Sequence, residues 1–342
     1  PQLAKVNSMF LQNVVVSNIT KSQIISFENG SSREGLNFQQ VRALALLLPP
    51  LPEQRTIAAF LDAQTSKLDT LIAKKRELIE KLKEKRAALI TRTVTRGLPP
   101  DAAKAAGLDP HPKMKDSGVE WLGEVPEHWE VKRLKHYIQN LNSGASVNSD
   151  NMPTEDDSPG ILKTSCVYGD VFRPEENKRV VEEEINRVFC PVFGDSLIIS
   201  RMNTPELVGS CGYVAQDLTN LYLPDRLWIT KFANKKMSFP KFFWYRIISR
   251  DIKEQISSLA TGTSGSMKNL MQESFLSIAV AIPSLSEQRA IAAYLDRETA
   301  AIDALVAKVE AAIDRLQEYR AALITAAVTG QIDVRNFPSE AA

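Results

Sequence analysis

Several stretches of this chain carry side chains suited to holding an anion or a planar, hydrogen-bonding edge. ILKTSCVYG (161–169) places Lys163, Thr164 and Ser165 in a predicted turn with Tyr168 nearby. SRMNTPELVG (200–209) puts Arg201, Asn203 and Thr204 at a strand end. TGTSGSMKNL (261–270) offers Ser264, Ser266, Lys268 and Asn269 on a glycine-containing loop, and a basic run of Lys132, Arg133, Lys135 and His136 stands earlier. Hydroxyls, amides and cations on loops are suitable donors to phosphate oxygens and to base edges. Each stretch taken singly also reads as an ordinary exposed loop. It is their recurrence within one segment that makes binding the expected chemistry.

Catalytic patterns are absent. There is no GxxxxGK[ST] phosphate loop, no HExxH, no GxSxG and no glycine-rich cofactor turn. Cys166, Cys190 and Cys211 are odd in number and none lies in a CxxC, so they read as reduced thiols. His111, His128 and His136 share no metal-ligand spacing, and the carboxylates of EDD (155–157) and VEEEINR (181–187) read as solvated surface. No cofactor, metal or enzymatic activity is therefore expected of the chain itself. Formal net charge is +1 over 342 residues, with an apolar fraction of 44%. A nucleic-acid partner would thus require charge segregated by face or segment rather than a basic chain. No apolar run approaches the roughly 18 residues of a membrane span, and PQLAKVNSMF lacks a signal-peptide pattern. A cytoplasmic protein without membrane contact is the expectation.

The elements that must position these loops announce themselves by repetition. LPEQRTIAAFLD (51–62) returns as LSEQRAIAAYLD (285–296), and Glu53 to Thr95 matches Glu287 to Thr329 at 24 of 43 positions without a gap. Every seventh residue gives Leu61, Leu68, Lys75, Leu82 and Leu89 in the first copy, and Leu295, Ile302, Val309, Leu316 and Leu323 in the second. Leu71, Ile72, Leu78, Ile79 and Arg86 lie between the first series, and Leu305, Val306 and Ile313 between the second. This is a narrow apolar seam with a period near 3.5, the spacing of a coiled coil. Good helix formers fill both stretches, Pro52 and Ser286 suit first turns, and Gly97, Pro99 and Gly330 are stops. Each helix should run about 40 residues, roughly 60 Å. Glu53 to Arg96 carries eleven Lys or Arg against six Asp or Glu, and Glu287 to Gly330 five against seven. Opposite signs favour pairing of one helix with the other; packing of each helix on its own globular domain is the plainer alternative.

Residues 97–118 are rich in Pro, Gly and Ala and read as a linker. Residues 119–283 change texture: GDSLIIS, CGYVAQ and LWITKF read as strands, and PKFFWYRIISRDIKEQISSLA (240–260) as an amphipathic helix. Residues 1–50 resemble the end of that domain, with Leu36 falling on Leu270 at the offset of 234 set by Glu53 and Glu287. The expected fold is α+β: globular segments at 1–50 and 119–283, long helices at 51–96 and 284–330 pairing as an antiparallel coiled coil, and a tail at 331–342. The first globular segment should lack the front of its domain.

With this layout, L-x-EQR-x-IA-x-(F/Y)-LD helix openings, DSGVEWLGEVPEHWEVKRLK (116–135), LIISRMNTPELVGSCGYV and the SGS-K-NL loop, the chain resembles the specificity (target-recognition) subunits of type I restriction–modification systems. The resemblance covers nearly the whole chain. It implies a non-catalytic subunit in which each recognition domain reads one half of a split double-stranded DNA target. It also implies paired helices that set the separation and dock methyltransferase (modification) subunits, to which motor–nuclease (restriction) subunits add. Two other readings stand beside it: a coiled-coil scaffold that binds only protein, and a shortened subunit that restores two-fold symmetry by pairing with a second copy.

Overall fold

Neither repeated stretch contains a helix-breaking residue beyond its first turn, and each forms one helix, Leu51–Arg96 and Leu285–Val328. Pro52 occupies the first turn, where its missing N–H is not needed. Both helices end on a glycine in the left-handed region, Gly97 at φ 85° and Gly330 at φ 73°, a conformation that costs glycine nothing. The computed structural model describes residues 6–28, 35–154, 158–234, 236–264, 266–335 and 337. The carboxylates at 155–157 and the whole of 29–34 lie outside these residues. The chain divides into two compact units, residues 1–83 with 302–342, and residues 84–301. The sequence-based partition set the helices apart as spacers; in the structure, each long helix contributes to the core of both units.

In the first unit Ile72 and Ile79 form a buried cluster with Val309 and Ile313. Ile57, Ala58 and Leu61 cluster with Leu323, Ile324, Ala327 and Val328. Rising numbers on one helix meet falling numbers on the other, so the helices run antiparallel here. Asp69 receives both a 2.9 Å and a 3.3 Å hydrogen bond from the Arg320 guanidinium across the pair. Leu82, Ile302 and Leu323 are buried, and Leu68 and Leu316 are half-buried, as the heptad spacing requires. Of the interleaved residues, Ile72 and Ile79 belong to the seam, whereas Leu71 and Leu78 are each 43% exposed. Helices Ser8–Val16 and Asn18–Glu28 lie before the first long helix, and Phe10 and Val14 join its core.

The second unit holds the other ends of the same helices, with Ile90 and Val94 in one cluster with Ile291, Ala292 and Leu295. The half-buried Leu89 packs against that cluster. A four-stranded antiparallel sheet runs in the order Cys211–Val214, Ser196–Ser200, Leu227–Phe232, Ile138–Asn142. The strands expected from GDSLIIS, CGYVAQ and LWITKF are the first three of these. Ser196–Ser200 is buried along its whole length, which explains its unbroken apolar run. A second sheet orders Asn177–Arg179, Gly160–Leu162, Leu218–Tyr222 and Pro191–Val192. Residues 97–118 are more structured than a linker: Pro100–Ala105 is helical, and Met114–Asp116 pairs with Glu124–Pro126.

The single helix expected over 240–260 is two, Pro240–Ile247 and Arg250–Leu259. Ser249 breaks it, donating its hydroxyl to the Arg246 carbonyl at 2.6 Å and joining Asp251 and the buried Arg246 guanidinium. Such local side-chain bonds compete with helix continuation. The first unit repeats the break: the Ser17 hydroxyl donates to the Val14 carbonyl at 2.6 Å.

The glutamine of the repeated phrase also has the same job twice. Gln54 accepts the Asn7 N–H at 2.8 Å and donates to the Pro49 carbonyl at 2.8 Å. Gln288 accepts the Phe239 N–H at 2.8 Å and donates to the carbonyls of Met237 and Pro283. One buried amide thus ties the entry of each helical pair to the foot of each long helix, where the backbone groups would otherwise lack partners.

Candidate nucleic-acid interface

Three loops far apart in sequence converge in the second unit. Met202–Asn203 forms the edge of a three-stranded sheet with the hairpin Thr261–Ser264 and Met267–Asn269. Its register sets Lys268 opposite Asn203 and Asn269 opposite Met202. The tight turns of Thr164–Asp170 complete the group: the Tyr168 hydroxyl lies 3.2 Å from the Asn203 amide nitrogen and 3.3 Å from the Thr164 hydroxyl. Asn203 is buried, and its amide nitrogen also reaches the Ser200 hydroxyl at 3.2 Å. The half-buried Arg201 has no carboxylate partner among the described residues, and its Nε is buried without a hydrogen bond, as is Oδ1 of Asn269. An unpaired guanidinium beside an under-used amide is costly in isolation and is available to an external acceptor.

The loop carrying Tyr168 is held from behind. Gly169 and Asp170 both take positive φ, 71° and 60°, which turns the chain sharply. Asp170 then accepts the Lys253 ammonium at 2.6 Å and the Cys211 N–H at 3.0 Å, and its carbonyl accepts the Trp244 indole N–H at 3.0 Å. Helix Arg250–Leu259 therefore fixes a loop more than eighty residues before it. Glu176 accepts the Ser165 hydroxyl at 2.6 Å and lies 3.7 Å from the Lys163 ammonium. That hydroxyl bond, with Lys163 nearby, holds the Glu176 carboxyl below the usual carboxylate range. In the hairpin, a Cβ on Gly262 would stand 2.2 Å from the Met267 carbonyl oxygen, so only glycine fits there.

Of the residues singled out in the sequence, Lys163, Thr164, Ser165, Arg201, Asn203, Thr204, Lys268 and Asn269 all lie on these three loops. Ser266 is exposed at the hairpin turn; the side chain of Ser264 lies outside the described part. Lys132 and Arg133 are not brought to the group. They lie in Glu130–Arg133, which pairs with Ala279–Ile282 in a separate two-stranded sheet, and Lys132 is engaged by Glu130. In the sequence Tyr168 is only a neighbour of the turn at 163–165; its place as a hub, and the parts taken by Glu176 and Asp170, rest on contacts that no local pattern marks. Among the described residues no cluster of His, Cys, Asp or Glu could hold a metal. Burial pushes the thiols of Cys166 and Cys211 well above the usual range. No described helix is long and apolar enough to cross a membrane.

A sequence profile for the type I restriction modification DNA specificity domain matches residues 7–81 and 126–315. The chain is similar to the type I restriction enzyme MjaVIII specificity subunit of Methanocaldococcus jannaschii, 26% identical over 293 residues that cover 85% of this chain and 62% of that protein. It is also similar to the EcoKI specificity subunit of Escherichia coli K12, 22% identical over 331 residues covering 95% of this chain and 66% of that one. It spans less than two thirds of the length of these relatives. A solved chain from work on complex assembly and conformational transition of the type I R-M system shares its fold, with a TM-score of 0.67 at 16% identity over 96% of this chain and 73% of that chain. The matched segments take in the three converging loops and run into both long helices, and the chain belongs to the family of type I restriction–modification DNA specificity domains.

Proposed function

We propose that the chain is a non-catalytic subunit of a type I restriction–modification complex, and that its second unit reads one half of a bipartite duplex target. The observation that carries this is the meeting of Tyr168, Asn203 and Lys268 around an Arg201 with no ion-pair partner among the described residues. Arginine and asparagine are the side chains that read guanine and adenine edges by paired hydrogen bonds, and lysine neutralises phosphate. Methyl transfer and cleavage belong, on this reading, to the modification and restriction subunits, with the long helices as the docking and spacing elements.

Residues 1–50 are, in the same reading, the closing portion of another recognition domain. Their helical pair, serine break and glutamine tie repeat those of 239–282. Their surface differs in one respect. Val41, Leu47 and Leu48 are 50%, 60% and 53% exposed, while Phe275, Ala281 and Ile282, at the same offset as Glu287 from Glu53, are buried against the sheet-bearing part of the second unit.

The test is a salt titration of duplex binding, with the target taken from methylation sequencing of host DNA. The parent should prefer target over random duplex. Lys268→Ala should lower affinity on all sequences and reduce the salt slope by about one. Arg201→Ala should erode preference at one base pair by roughly 1–3 kcal/mol. Equal binding to target and random duplex would favour a scaffold that binds only protein.

A further inference from the structure

The repeated phrase L-x-EQR contains one charged residue, its arginine, to which the described residues give no counter-ion in either copy. Its glutamine ties backbone to backbone in both copies, as described above. Its glutamate is engaged in the second unit, where Glu287 accepts the Trp129 indole N–H at 3.0 Å and lies 2.9 Å from Nε2 of His128. Its arginine, Arg289, is exposed and has no carboxylate partner among the described residues. Arg55, the same arginine at the opening of the first long helix, is likewise exposed and unpaired among the described residues. Both copies keep a cation that has no carboxylate partner among the described residues.

Arg289 stands at the edge of a pocket of about 340 Å³. Phe193, Phe232 and Phe239 form its apolar walls, and Lys231 is the second cation on its rim. The Arg289 guanidinium lies 5.9 Å from the centroid of the Phe239 ring. Lys231 also has no ion-pair partner among the described residues. Asp195 is the one carboxylate in the lining; it accepts the Tyr213 hydroxyl at 3.0 Å, keeps its charge, and is ion-paired with neither cation among the described residues. Ser238 lines the pocket, is 2% exposed, and its hydroxyl has no hydrogen-bond partner among the described residues. Two cations against one carboxylate, an orphaned buried hydroxyl and aromatic walls together call for a further carboxylate, carried on an apolar stem. Phosphate contacts fix a protein's register along a duplex through many groups; a pocket with apolar walls and a few convergent polar groups suits one inserted group. None of its lining residues belongs to the Tyr168–Asn203–Lys268 group.

We propose that this pocket is the socket for an acidic side chain of the modification subunit, with Arg289 as the ion-pairing anchor and Lys231 and Ser238 as supporting donors. The assignment rests on the reading that modification subunits dock on this chain. The test titrates the full chain, and its Arg289→Glu and Lys231→Glu variants, with purified modification subunit by calorimetry and with target duplex by anisotropy. Thermal melts of each variant check that the exposed substitutions leave the fold intact. Each charge reversal should weaken modification-subunit binding about tenfold or more, with duplex affinity within about twofold of the parent. If both variants take up the modification subunit like the parent, the socket is wrong. If duplex affinity falls by the same factor, the pocket holds DNA phosphate and the assignment is overturned. A parent chain that takes up no modification subunit overturns the docking reading itself, and the socket with it.

Discussion

Asn203 shows how much one side chain is asked to do. It is buried, donates toward Tyr168 and Ser200, and accepts the Thr204 N–H at 2.9 Å. Its position is therefore set by partners from two loops, the fixing that the base contact proposed for it would need. Tyr168→Phe removes the hydroxyl that joins Thr164 to Asn203. It should loosen this arrangement with little loss of stability, and discrimination between target and single-mismatch duplexes should fall more than affinity for random duplex. Equal loss on both would show that Tyr168 acts only in packing. Other tyrosines report burial directly. Desolvation raises Tyr137 and Tyr213 to about 12, Tyr213 being further raised by the Asp195 carboxylate it bonds. A raised tyrosine contributes stability that is whole below the free-phenol value of about 10 and is lost as pH climbs through the folded value. Denaturant stability should hold up to about pH 10 and decline toward 12, with tyrosinate absorbance lagging that of the unfolded chain. A folded-state titration centred at the free value would contradict the burial.

At the scale of elements, the long helices owe their position as much to their ends as to their seams. The seam has the spacing expected from the heptads, and Ile72, Ile79, Val309 and Ile313 bury apolar area in the first unit at about 1.5–3 kcal/mol per side chain. Gln288 does something the heptads do not show. It is 1% exposed and satisfies three backbone groups of the segments entering the helix. Gln288→Ala should therefore cost roughly 1–3 kcal/mol, from the groups left unpaired, read as a lower denaturant midpoint at unchanged slope. A neutral outcome would mean that water replaces the amide. The serine breaks at Ser17 and Ser249 belong to the same scale. The periodicity of 240–260 is helical on both sides of Ser249, so pattern alone merges two helices that a hydroxyl and a buried arginine separate.

For the whole molecule, the repeat is the organising fact. It supplies two long antiparallel helices whose halves belong to different compact units, and two helical pairs with the same ties. In the proposed function the helices set the spacing of the half-sites. Inserting one heptad at matched positions in both helices adds about 10 Å, or about three base pairs. The tolerated spacer should lengthen accordingly while each half-site sequence stays the same. A change in half-site sequence without a change in spacer would show that the helices do not set the distance.

By itself the sequence determined what depends on local order: helix extent from the run between Pro52 and Gly97, the seam from the heptads, the strands from their apolar runs, and family membership from the repeated phrase. It also listed most of the residues of the proposed binding group, because hydroxyl, amide and cationic residues on glycine-containing loops are legible one loop at a time. Only the tertiary structure decided which of them meet. The pairing of Lys268 with Asn203, the hub at Tyr168 and the anchoring of Asp170 by Lys253 are contacts across tens of residues, and no local propensity encodes them. The same cause removed Lys132 and Arg133 from the group: their charge is visible in the sequence, but the strand register that places them beside Ala279–Ile282 is a property of the assembled sheet.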